Sequence, residues 1–165
     1  MQIETRKILE LGGVVKLIRC NSKSKDFLNL IQQLDADLAQ RNGISQLSYD
    51  KFNKIQNIET VVVAYVDHVP AGCGCFKPYD SQTAEIKRMY VKPENRGKGL
   101  SKQILTELEK WAQESGYSKL CLETGLKQPE AIGLYNKSGY SRIDNYGQYA
   151  DMPNSICFGK HLKKA

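Results

Sequence analysis

Residues 84–105, AEIKRMYVKPENRGKGLSKQIL, constrain this chain more than any other stretch. Residues 84–91 read as a strand, Gly97 and Gly99 interrupt, and Leu100, Ile104, Leu108, Trp111 and Ala112 then recur at helical spacing to about Gly116. A strand that runs through a glycine loop into a long amphipathic helix must lay that helix on a sheet, which places the chain among the α/β folds. Arg96, Lys98 and Lys102 gather at the helix mouth, where unpaired N–H groups already carry partial positive charge. Such a mouth calls for an anion, and its context favours phosphate or pyrophosphate.

Two familiar phosphate motifs fail here. The nucleotide P-loop needs Gly-x-x-x-x-Gly-Lys-Ser/Thr, but Lys98 is followed by Gly99 and no glycine stands at the earlier position. The dinucleotide fingerprint fails as well, because Gly97-Lys98-Gly99 is followed by Leu-Ser-Lys without a third glycine. What fits is Arg96-x-x-Gly99-x-Ser101, an arginine, a glycine and a small residue.

Around this loop the remaining elements read in order. GVVKLIRC (13–20) is rich in β-branched residues and predicts a strand. The following stretch places Phe27, Leu30, Ile31, Leu34 and Leu38 at helical spacing, with Ser22 or Ser24 to cap it and Gly43 to end it. A shorter helix is expected over 48–56, where Tyr49, Phe52 and Ile55 recur. ETVVVAYV and AGCGCFKPY flank DHVP as a hairpin, KLCLET (119–124) predicts a short buried strand, and SICFGKHL a last one. Pro129 and Gly139 bracket a further helix. The chain of 165 residues fits a single domain spanning 1–165, with one mixed sheet and one parallel strand pair joined by the central helix.

The net charge of +6 would suit a polyanion, yet the basic residues are scattered outside the loop and the tail KHLKKA, so nucleic acid is not expected as a partner. No run is long and apolar enough for a membrane span. Five cysteines, an odd number without a recognisable signal peptide, lead to the expectation of reduced thiols in a cytoplasmic protein. Cys73, Cys75 and nearby His68 lack a second ligand pair at zinc spacing, so no metal is expected.

The loop motif, the strand before it, LCLETG and AIGLYNKSGY follow one another in an order and spacing that resembles the GCN5-related N-acetyltransferase (GNAT) superfamily. The resemblance covers about residues 60–162 well and the first 58 in outline; Ser101 stands where that family usually has Gly or Ala. It implies a mixed, mostly antiparallel sheet of about six or seven strands, parallel between the family's fourth and fifth strands and flanked by about four helices. It further implies acetyl-CoA as cosubstrate, with no metal, and transfer to a primary amine of a small molecule such as an amino acid. A protein or peptide acceptor, or coenzyme binding without turnover, stands as the alternative. The family often dimerises, so a homodimer is one arrangement open to the chain.

By position, the resemblance implies that the strand edge of Met89, Tyr90 and Val91 pairs with the pantetheine arm. The amides of Arg96, Gly97, Lys98, Gly99, Leu100 and Ser101 would cradle the pyrophosphate, with the Ser101 hydroxyl free to cap the helix or meet a phosphate. Gln128 stands where the family often has a pantetheine-contacting Asn, and Tyr135 is the acid for the departing thiolate. For the base there are two carboxylates on neighbouring strands, Glu85 and Glu123, either of which would face the gap between them; the family pattern favours Glu85. Arg88, Tyr146 and Tyr149 are candidate acceptor contacts, Arg88 because a guanidinium forks onto a carboxylate. Asp35 and Asp37 read better as a solvated helix face.

Overall fold

The computed structural model describes residues 4–8, 13–43 and 54–164, and the side chains from residue 13 onward within that span. Eight strands form one sheet: β1 (Glu4–Ile8), β2 (Val14–Cys20), β3 (Val61–Val66), β4 (Val69–Pro78), β5 (Thr83–Val91), β6 (Lys119–Gly125), β7 (Ser141–Ile143) and β8 (Ser155–His161). Their order across the sheet is β1-β2-β3-β4-β5-β6-β8-β7. Every neighbouring pair is antiparallel except β5 and β6, which run parallel and are joined by the central helix. Three α-helices stand among the described residues, α1 (Lys25–Asn42), α2 (Leu100–Glu114) and α3 (Pro129–Lys137). The mixed sheet with its parallel pair is the architecture the sequence implies; β1 and the short β7 make it wider than the expected six or seven strands. Most of the helix expected over 48–56 lies outside the described residues, and 54–56 are not helical.

Local chemistry explains the element boundaries. Ser24 caps α1 by accepting from the Phe27 N–H at 3.3 Å, and Gly43 closes it in a positive-φ conformation with its N–H on the Ala39 carbonyl. Asp67 and His68 both take positive φ, the geometry that a two-residue hairpin between right-twisted strands requires. Phe27, Leu30, Ile31, Leu34 and Leu38 bury one face of α1 against Val61, Val63, Cys73 and Cys75. On the opposite face of the sheet, Leu100, Ile104, Leu105 and Leu108 of α2 pack on Val62, Ala71, Phe76 and Ile86. Beneath α2, Arg19 is buried, paired with Glu107 at 2.8 Å and stacked over Trp111.

Two irregularities in β5 open the site. The parallel ladder to β6 holds for only three pairs, the last being Glu85 with Cys121, after which the strands diverge. Opposite β4, Cys73 pairs with Tyr90 and Cys75 with Lys87, so that Arg88 and Met89 together oppose Gly74 alone. This is a β-bulge, and Arg88 carries it with φ 57°. For a side chain larger than glycine that conformation costs about 1 kcal/mol. The Cys73 and Cys75 thiols donate to the carbonyls of Arg88 and Lys87, at 3.6 and 3.3 Å. Burial pushes the Cys75 thiol up to about 12, and both cysteines act as small buried donors to the bulge. Any Cβ on Gly74 would collide with Met89 and Leu108.

Candidate active site

The diverging strands form one side of a cleft of about 700 Å³ that runs from the end of α1, past the loop before α2, to α3. At its phosphate-binding end, Gly97 and Gly99 have φ of 76° and 78°, and Gly99 is the N-cap of α2 with no side-chain cap. An added Cβ at either glycine would meet no other atom within 4 Å, so the requirement is conformational. Of the two roles open to the Ser101 hydroxyl, capping the helix is not the one it takes; no side chain caps α2, and its first residues, Leu100, Ser101 and Lys102, line the cleft, which fits an anion. Arg96 is anchored by its Nε donating to the Val91 carbonyl at 2.9 Å, and its guanidinium lies 3.9 Å from Asp37 of α1.

Met89, Tyr90, Val91, Arg96, Gly97, Gly99, Leu100, Ser101 and Gln128 all line the cleft. Lys98 does not: its ammonium donates to the Glu94 carbonyl on the exposed outside of the turn. Lys102 of the helix mouth does line the wall, joined by Lys127 and Lys137, two cations that the strand-loop-helix pattern does not single out.

Tyr135 sits on α3 with only 5 % of its surface exposed, wedged edge-on against Tyr140 and tilted against Phe158. It lines the cleft, and burial raises its phenol well above the ordinary value, which keeps it protonated and able to donate.

The two carboxylates part company. Glu123, on β6 beyond the last parallel pair, lines the cleft and is half-buried. Burial pushes its carboxyl up to about 7, against the opposing pull of Lys87 and a hydrogen bond from Ser155, with Glu85 adding a further push upward. Glu85 stands at the last paired position rather than at the gap, is 2 % exposed, and accepts the Tyr146 hydroxyl at 2.6 Å. Lys87 lies 3.5 Å from it and donates to Tyr149 at 3.0 Å; burial lowers the Lys87 ammonium. Tyr146 and Tyr149, expected as acceptor walls, lie behind the cleft as lids on this Glu85–Lys87 pair, with their rings perpendicular at 5.6 Å. Arg88 lines the cleft and pairs through Nη2 with Asp35. Lys87 is the participant the sequence reading missed; its signal would have been its place two residues after Glu85 in the same strand, which sets both side chains on one face.

The sequence matches the family model for the acetyltransferase (GNAT) family over residues 28–140. Among curated relatives, the uncharacterized N-acetyltransferase YsnE of Bacillus subtilis is 35% identical over 94 residues, 56% of this chain and 62% of the relative. The IAA acetyltransferase of Azospirillum brasilense is 36% identical over 92 residues, 55% of this chain and 60% of the relative. The match thus spans about three fifths of those relatives' length. Among solved structures, a chain from Klebsiella pneumoniae superposes with TM-score 0.73 at 28% identity, covering 90% of this chain and 98% of that one. A GNAT acetyltransferase from Elizabethkingia anophelis with acetyl-CoA bound superposes with TM-score 0.65 at 20% identity, covering 90% and 98%.

Proposed function

The chain belongs to the acetyltransferase (GNAT) family, and from that premise we propose that it transfers acetyl from acetyl-CoA to the primary amine of a small molecule, directly within a ternary complex. The observation that carries this reading is the pairing of Glu123 and Tyr135 on one cleft. The first is a carboxylate whose proton affinity is set near neutrality, and the second a phenol held in its protonated form. A base works best with a pKa near the working pH, and an acid must still hold its proton there.

The α2 mouth and Arg96 take the pyrophosphate, and the unpaired edge of β5 beyond Glu85 takes the pantetheine arm as a strand takes a peptide. Glu123 removes the proton from the attacking amine. Tyr135 returns one to the departing thiolate, and the bound amine and thioester stay together in a cleft that holds them for attack. Glu85 is not the base in this scheme, because Tyr146 and Lys87 occupy it behind the wall.

Mass-spectrometric detection of acetylated product and free coenzyme A, over amino acids, polyamines, aminoglycosides and short peptides, tests the proposal. Turnover of a small amine, lowered in Tyr135→Phe, supports it. Turnover of peptides alone would move the acceptor to proteins, and coenzyme binding without turnover of anything would make the domain a sensor.

A further inference from the structure

Arg88 combines three features that are individually costly and sit at one position. Its backbone is in the left-handed region at φ 57°, its side chain is 4 % exposed, and its Nε is buried without a hydrogen-bond partner. Strain and an unsatisfied buried donor persist in a fold when something other than stability maintains them. The residue lines the cleft, on the strand that faces Glu123 across the gap.

The partner it does have is informative. Nε and Nη2 of a guanidinium form one edge, shaped to receive both oxygens of a carboxylate. Asp35 fills only half of that edge, meeting Nη2 through a single oxygen, and its own side chain is 54 % exposed. Asp35 can therefore swing into solvent at little cost. The neighbouring cation offers no comparable opening: Lys87 is sealed between Glu85 and Tyr149, with its side chain 5 % exposed.

We propose that the acceptor amine carries a carboxylate, which displaces Asp35 and docks on the Nε–Nη2 edge of Arg88, so that Asp35 is the resident stand-in for that group. The inference rests on the acetyl-transfer reading and names its substrate class. The carboxylate fixes one end of the acceptor on β5 while the amine is presented towards Glu123 on β6. The bulge opposite Gly74 serves this arrangement: it gives Arg88 its positive φ, and the Arg88 guanidinium reaches Asp35 of α1 while the Lys87 side chain before it goes to Glu85 and Tyr149.

The test compares amino acids with their own carboxamides as acceptors, in the wild type, Arg88→Gln and Asp35→Asn. The wild type prefers the carboxylate of each pair by about tenfold or more in kcat/KM, the discrimination a site built for hydrogen bonds imposes. Arg88→Gln brings the pair to near parity, through KM rather than kcat. Asp35→Asn, on the exposed helix face, lowers KM for the carboxylate acceptor and leaves the amide unchanged, which a merely structural ion pair would not do. Calorimetric binding of N-acetyl amino acids and their amides to the coenzyme A-bound protein reads the same edge without turnover. Arg88-dependent binding of the acid alone, with no amine acetylated, would sustain the carboxylate site while the transfer reading fails. Acetylation indifferent to the carboxylate, or an Asp35→Asn variant that binds acids more weakly, overturns the inference.

Discussion

Tyr146 donates its hydroxyl to Glu85 across 2.6 Å, closing a buried carboxylate that the sequence alone presents as the leading candidate base. Burial and the nearby carboxylate hold the Tyr146 phenol protonated far above its usual range, so it remains a donor at any working pH. Removing it leaves Glu85 short of a partner in a nearly sealed site. Tyr146→Phe is expected to destabilise the fold by about 1–3 kcal/mol in urea titration while lowering kcat by less than tenfold. A loss of activity on the scale of a base knockout, with stability intact, would instead put Glu85 in the chemistry.

The raised proton affinity of Glu123 has a consequence for stability with a definite sign. In the unfolded chain this carboxyl ionises near 4.5, and in the fold near 7. Between those values the fold holds a proton the unfolded chain has released, and the stabilisation, on the order of 3 kcal/mol at low pH, is lost as pH rises from one to the other. Subtracting the pH–stability curve of Glu123→Gln from that of the wild type isolates this decline. A flat difference would mean the carboxyl is not perturbed.

Tyr135→Phe keeps the ring packed against Tyr140 and Phe158 and deletes only the hydroxyl. Stability and acetyl-CoA affinity are expected to stay close to wild type while kcat falls by about 10²-fold, within the range for loss of a positioned acid. Steady-state kinetics with a fixed acceptor separates the two constants.

At the loop, Gly99→Ala introduces a Cβ that meets no neighbour but must hold φ 78°. The expected cost is about 1 kcal/mol of strain, relieved by a shift of the first turn of α2 away from its anion-binding geometry. Coenzyme A affinity measured by calorimetry should fall several-fold, with a smaller drop in thermal stability. Unchanged affinity would show that the amides of this turn do not hold the pyrophosphate.

How much of this was legible in the sequence depended on whether the constraint was local. The caps of α1, the Asp67-His68 turn and the Gly97/Gly99 loop are requirements of a few neighbouring residues, and they stand in the structure where the residues put them. The choice between Glu85 and Glu123 was not local: it depends on where the parallel ladder ends, and that point lies between the two carboxylates. Nor does any short motif show that Cys73 and Cys75 serve the carbonyls of a bulge, since the bulge is a mismatch between β4 and β5. The burial of Lys87 and the exposure of Lys98 likewise follow from which side of the sheet or turn faces the cleft.

The central claim is that Glu123, rather than Glu85, takes the proton from the amine, and the most direct measurement is the pH dependence of kcat/KM for the wild type, Glu123→Gln and Glu85→Gln with one acetylated acceptor. The account predicts a wild-type rate that rises through about pH 7, a Glu123→Gln variant that loses this rise with about 10²–10⁴-fold of the rate, and a Glu85→Gln variant that keeps it. A Glu123→Gln variant with wild-type rate and profile, beside a Glu85→Gln variant that has lost both, would contradict it.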